Sequence, residues 1–225
     1  MFIGIILAVI FCFLVLNIVV KRLKNESAKK YLRMAHKWLG VLFLIVAVIH
    51  MTATWGLLKQ RPILMYVLGF VMIAAALLAL LSFVFRKQLK AKWFVLHRIS
   101  TAVILVCLLL HVFIGFSSLS DYKKAVSEID ISNVEPSDVS DGTYIGECNV
   151  GYIYAKVEVK VENGQIENVT LLEHRTERGK PAEVIVNQIV EKQAVKVDAV
   201  SSATNSSKVI MKAVEKALEG EKEAL

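Results

Sequence analysis

Residues 1–117 contain one acidic side chain, Glu26, against fourteen lysines and arginines. No Asp or Glu therefore falls inside an apolar run of this half. That removes the carboxylates that a membrane proton path or a carboxylate-bearing metal site would draw on. Three cysteines, Cys12, Cys107 and Cys148, are too few for a disulfide framework. Cys12 and Cys107 lie within apolar runs and read as small packing residues. There is no G-x-G-x-x-G unit and no Rossmann-like βαβ pattern, which argues against a nicotinamide dinucleotide site in the chain itself.

What the chain does have is apolar length. Of 225 residues 56% are hydrophobic, too many for one soluble domain. Charge divides with position: residues 1–117 carry a net +13 and residues 118–225 a net −6, for +7 overall. The basic charges sit between apolar runs, so they read as topology signals and no nucleic-acid partner is expected.

Four runs, residues 2–20, 38–58, 63–85 and 93–116, each offer about the twenty residues that a hydrocarbon core requires. A backbone in lipid must satisfy its own hydrogen bonds, so each is expected to be a helix. The first run lacks a basic n-region and an A-x-A site and is read as a retained span, not a signal peptide. Loop 1–2 carries Lys21, Arg22, Lys24, Lys29, Lys30, Arg33 and Lys37, and loop 3–4 carries Arg86, Lys87, Lys90 and Lys92. Loop 2–3 has only Lys59 and Arg61. The positive-inside rule then predicts a multi-pass protein of the cell membrane, with the N-terminus and everything after Phe116 extracytoplasmic. Trp38, Trp55 and Trp93 stand at span ends, as an aromatic belt requires.

Four of the five histidines belong to the second and fourth spans: His36 and His50, His97 and His111. Each pair is spaced by fourteen residues. Fourteen helical steps return to within about 40° of the starting face and rise about 21 Å. The two spans are separated by one other, so they run parallel. His36 is then level with His97, and His50 with His111. Two facing imidazoles at one depth can supply both axial ligands of a haem iron, and two such levels make a stack of two b-type haems. Helix-bridging hydrogen bonds, or a zinc or proton-relay role, are the alternatives. The segments HKWLGVLFLIVAVIH and HRISTAVILVCLLLH resemble the H-x13-H pairs in the membrane cores of ferric-reductase-like b-type cytochromes. That resemblance covers roughly residues 30–117, with four spans here where six are common.

Residues 118–140 are polar and short of aromatics and read as a linker, with some helix at its start. Beyond it, TYIGECNV, IYAKVEVKVE and IENVTLLEH read as strands, with ENGQ as a turn. Pro181 opens a helix, AEVIVNQIVEKQ, and AVKVDAV is a short extended piece before a last helix. The fold class is thus a four-span α-helical membrane bundle, residues 1–117, followed by a small α+β domain, residues 141–225.

The segment DAVSSATNSS directly precedes that last helix. Ser, Thr and Asn are preferred N-caps, while a helix N-terminus flanked by small residues also suits a phosphate. Asp198-Ala-Val-Ser201-Ser202-Ala203-Thr204 resembles the flavinylation motif of FMN-binding domains, roughly Asp-x-x-Ser/Thr-Gly/Ser-Ala-Thr. Such domains occur in the C subunit of sodium-pumping NADH:quinone oxidoreductase and in the flavin subunit of Rnf-type complexes. DGTYIGE followed by VEVKVENGQIENVTLLEH is similar to the opening of that domain. The resemblance implies that a flavin transferase esterifies FMN to the Thr204 hydroxyl, with Asp198, Ser201, Ser202 and Ala203 as the recognised segment. Thr176, Glu177 and Gly179 match a flavin-contacting loop, and His174 beside them reads as a surface histidine. The family often has Gly where this chain has Ser202.

Together these readings predict electron transfer from a cytoplasmic reductase or membrane quinol, through two b haems, to covalent FMN and an extracytoplasmic acceptor. The alternatives are a non-haem anchor presenting a flavin carrier to a larger redox complex, and a structural or sensory membrane protein without a cofactor.

Overall fold

The computed structural model describes residues 2–17 and 24–220. The chain divides into two compact units, Met1–Phe116 and Ser117–Leu225.

The first unit is helical. Helix α1 spans Phe2–Leu16, α2 Glu26–Thr54, α3 Ile63–Val84, a short α4 Arg86–Leu89, and α5 begins at Lys92 and runs to Ser127. Among the described residues three helices are long and apolar enough to cross a membrane: Glu26–Leu57 (α2 with the 3-10 turn that follows it), Ile63–Val84 and Lys92–Ser127. The expected first span, 2–20, is described as a 15-residue helix. At 1.5 Å per residue that is about 22 Å, short of a core of about 30 Å. Residues 18–20, and Lys21 and Arg22 of the expected basic loop, lie outside the described residues.

Helix α2 starts earlier than its apolar run because Asn25 caps it. The Asn25 carboxamide accepts a hydrogen bond from the Ala28 N–H at 3.0 Å. The interior of the unit joins Leu7, Ile10 and Phe11 of α1, Phe43 and Ala47 of α2, Ala75 and Ala76 of α3, and Ile104 of α5. Alanines on α3 let the helix backbones approach, which is how apolar helices associate when no hydrophobic drive separates them from lipid.

The second unit packs helices on one face of a three-stranded antiparallel sheet in the order β1-β2-β3. The strands are β1 Gly142–Asn149, β2 Tyr154–Glu162 and β3 Gln165–Arg175. Asn163 and Gly164, both at positive φ, form the two-residue β2–β3 turn, the pattern that suits a tight hairpin. Ala155, Val157, Val159 and Val161 line the inner face of β2 and are fully or almost fully buried. They pack on Val209, Ile210, Ala213, Val214 and Ala217 of the last helix, α7 Thr204–Glu219. Gly146 of β1 permits this contact: a Cβ there would lie 2.1 Å from the Ala213 carbonyl oxygen and 2.5 Å from the Ala217 nitrogen.

Two expectations change. Residues 118–140 are not a free linker. The last turns of α5 and the chain after it place Val126, Ile131, Val134 and Val139 in the core of the second unit. Buried Glu215 of α7 fastens this segment, accepting the Ser132 N–H at 2.9 Å while pairing with Lys212 at 2.6 Å. The polar side chains that suggested a linker lie between these apolar anchors. The helix expected from Pro181 begins as a 3-10 turn, Lys180–Val184, and becomes α6 only at Ile185–Lys192. AVKVDAV, expected as an extended piece, pairs with no strand among the described residues, and Val195 is buried as a side-chain plug.

Candidate functional site

Two sets of chemistry-bearing side chains were expected, one in each unit.

In the helical unit the rings of His36 and His97 approach to 6.1 Å between centroids. The two α5 histidines share a further arrangement: His97 Nδ1 is 3.2 Å from the Ala79 carbonyl oxygen and His111 Nδ1 is 3.1 Å from that of Met65. A carbonyl only accepts, so both imidazoles donate from Nδ1; in a neutral ring so held, Nε2 is the acceptor nitrogen. That tautomer is the one an Nε2-bound metal needs, with the second-shell carbonyl fixing the ring. Ala79 and Met65 are themselves fourteen residues apart on α3, so the same device serves both levels.

A glycine in a span can leave room beside the backbone for a flat ligand, but Gly40, Gly69 and Gly115 differ from one another. A Cβ at Gly40 meets nothing within 4 Å, whereas at Gly69 and Gly115 it meets the Met51 and Met65 methyls at 3.1 and 3.3 Å. Gly4 of α1 lies against His50, with its Cβ direction 3.7 Å from Nε2. Lys37 and Arg98, the basic neighbours of His36 and His97, lie over the rings of Phe83 and Phe94. Among the described residues no group of three or more His, Cys, Asp and Glu side chains is placed to hold a metal ion, so a zinc site has no donor set there.

In the second unit Thr204 is the first residue of α7 and is exposed. The residue at the cap is Ala203, which makes no side-chain cap bond. Plain capping by a hydroxyl, the simplest reading of SSATNSS, is therefore not what holds this end. The loop is shaped by a turn instead. The Ala203 N–H donates to the Val200 carbonyl at 3.0 Å, and Ser202, third in the turn, has φ 64°. A type II turn needs positive φ at that place and favours glycine, which accounts for Gly as the alternative residue in the motif. Ser207 reaches back from the helix: its hydroxyl accepts from the Val200 N–H at 3.0 Å and donates to the Ala203 carbonyl at 3.1 Å.

The loop after β3 closes on the same helix end. Thr176 Oγ1 accepts the Gly179 N–H at 3.0 Å and lies 3.3 Å from the hydroxyl of buried Ser206. A Cβ on Gly179 would fall 1.8 Å from Ser206 Oγ, so the absence of a side chain lets this loop touch α7. Thr176, Gly179 and the turn before Thr204 are thus brought together, while Glu177 is exposed on the loop. Asp198 is almost wholly exposed and paired at 3.2 Å with Lys192. His174 is not a surface residue: its side chain is 2% exposed, with Nδ1 3.0 Å from Glu183 Oε1. It follows Val169 and Leu171 on the inner face of β3, where two bulges shift the alternation that the sequence pattern suggested.

Sequence reasoning missed Ser206 and Ser207 as individuals, because they looked like the rest of a polar run. It also missed Asn205, whose side-chain amide donates to the Tyr122 hydroxyl at 2.8 Å. No local signal in the chain links residues so far apart.

No curated protein matches the chain, and no solved structure matches it. The family model of the FMN-binding domain matches residues 151–219, which takes in β2, β3, the 176–179 loop and Thr204 and supports an FMN-binding domain within the C-terminal unit.

Proposed function

We propose that the chain is a multi-pass membrane protein that carries electrons from a cytoplasmic reductase or quinol, by way of two b-type haems, to FMN esterified to Thr204 outside the membrane. The flavin-carrying redox role rests on the FMN-binding domain. The observation that carries the haem assignment is the shared setting of His97 and His111, each with Nδ1 on an α3 carbonyl and Nε2 left for a ligand. His36 with His97, and His50 with His111, would hold the irons; haem supplies one-electron carriage at each level.

In the outer domain the residues have separate tasks. Ser202 and Ser207 shape the turn that leaves Thr204 exposed at the helix end. The first-turn N–H groups of α7 have no intrahelical partners and suit a phosphate diester. Thr176 and Gly179 wall that end. A flavin transferase is the implied maturation partner, the α2 basic residues Lys29, Lys30, Arg33 and Lys37 offer a surface for an acidic donor, and the acceptor is extracytoplasmic. The four-span topology, with the N-terminus outside, belongs to this proposal.

A second reading is a non-haem anchor that presents the flavin to a larger complex. The Met51 and Met65 methyls, which occupy the space at Gly69 and Gly115, favour it. A visible spectrum of the purified protein, oxidised and dithionite-reduced, separates the two. The first requires a b-type spectrum and covalent flavin, with His111→Ala removing one haem signal. Flavin without haem establishes the second. In both, Thr204→Ala abolishes covalent flavin; flavin persisting in that variant refutes the attachment site.

A further inference from the structure

Beyond Phe116 the sequence contains no Phe and no Trp; its aromatic rings, apart from His174, are Tyr122, Tyr144, Tyr152 and Tyr154. An isoalloxazine tethered in this unit can therefore stack only on a tyrosine. Two of the four are committed elsewhere. The Tyr144 hydroxyl donates to the Ser140 carbonyl at 2.8 Å, within the loop that leads into β1. Tyr154 is covered by the Arg175 guanidinium at 4.0 Å and donates to Glu147 at 2.7 Å.

Tyr122 is placed differently. It lies near the end of α5, is half-buried, and stacks on Tyr152 with ring centroids 4.9 Å apart and planes 24° from parallel. Tyr152 is set by the β1–β2 connection, which Gly151 turns at φ 81° with its N–H on the Asn149 carboxamide. The Tyr122 hydroxyl accepts from Asn205, the residue next to Thr204. One backbone step of about 3.8 Å and one side chain thus separate the attachment point from the ring. A five-carbon ribityl arm spans a distance of that order.

We propose that the Tyr122 ring, backed by Tyr152 and pinned by Asn205, is the wall on which the isoalloxazine of the Thr204-linked flavin stacks. This rests on the flavin attachment proposed above and adds its ring-binding partner. It also makes a helix outside the matched domain, α5, a contributor to the flavin site. Offset stacking of flat rings is favourable beyond area burial. A neighbouring phenol also quenches an excited flavin by lending it one electron, which then returns, with no net change in either group.

The test uses the full chain, flavinylated, with time-resolved flavin fluorescence. Wild type is expected to show a dominant short lifetime. Tyr122→Phe keeps a ring of the same shape on Tyr152 but removes the electron-donating phenol and the Asn205 hydrogen bond, and should lose most of the short component. Tyr122→Trp should restore it. Tyr122→Leu should lower the stacked-to-unstacked ratio about fivefold. Tyr144→Phe should change nothing. Wild-type lifetimes in Tyr122→Phe, with flavin on Thr204, overturn the stacking wall and leave the attachment standing. Absence of flavin from the wild-type chain treated with transferase and FAD overturns both.

Discussion

The contact between the 176–179 loop and α7 can be tested by adding a single carbon. Gly179 has φ −87° and ψ 7°, a conformation open to any residue, so Gly179→Ala adds no backbone strain. Its cost is contact alone. The new Cβ would lie 1.8 Å from Ser206 Oγ, 2.6 Å from Ser206 Cβ and 2.7 Å from Thr176 Oγ1. Rotating Ser206 relieves the first clash and gives up the 3.3 Å contact with Thr176. It cannot relieve the second, because that Cβ is fixed to the α7 backbone. Carbon atoms pack best at about 3.5–4.0 Å, so loop and helix must part by about 1 Å. Overpacking of this kind costs about 1–3 kcal/mol, or about 5- to 150-fold in a local opening constant. Hydrogen exchange of the intact protein reads this directly in peptides covering the start of α7 and residues 176–184. Ser206→Gly, combined with Gly179→Ala, should recover part of the loss, giving a coupling energy of about 0.5–3 kcal/mol. Exchange in Gly179→Ala within twofold of wild type, with unchanged flavin uptake, refutes the close seam.

Glu215→Ala removes the buried acceptor of the Ser132 N–H and leaves Lys212 only the Asp130 carbonyl; it should cost about 1–3 kcal/mol and expose residues 128–134 to protease. Ser202→Gly should keep covalent flavin and change stability by less than about 1 kcal/mol, because relief of positive φ offsets the added unfolded-chain entropy. Burial pushes the Cys148 thiol above its ordinary range, so Cys148 should resist iodoacetamide at pH 8 in the folded protein and react after denaturation. The sign follows: with the folded value raised, this thiol's contribution to stability is present below the unfolded pKa and lost as pH rises through the folded one. A melting temperature unchanged between pH 8 and pH 10 in wild type, but not in Cys148→Ala, contradicts it.

Much of the architecture was legible because it depends on periodicity. Three strands fell within a residue or two of their expected ends, since alternation and the Asn-Gly turn are local. The apolar runs became helices for an equally local reason, that their backbones have no other partner in lipid. Reading failed where a segment's state depends on a distant partner. Residues 118–140 look soluble and loose, yet four apolar side chains and Glu215 fasten them to the sheet unit. His174 looks superficial, yet two β-bulges turn it inward.

The sequence alone determined the apolar lengths, the charge asymmetry, the fourteen-residue histidine intervals and the motif ending at Thr204. Each is a property of neighbours along the chain or of a fixed helical pitch. Tertiary structure decided that Ala203 and not a hydroxyl stands at the helix cap, that Gly179 meets Ser206, that α3 carbonyls hold both α5 imidazoles, and that Tyr122 reaches Asn205. These are contacts between residues up to 83 positions apart. Long-range packing, which no local pattern encodes, brings them within bonding distance.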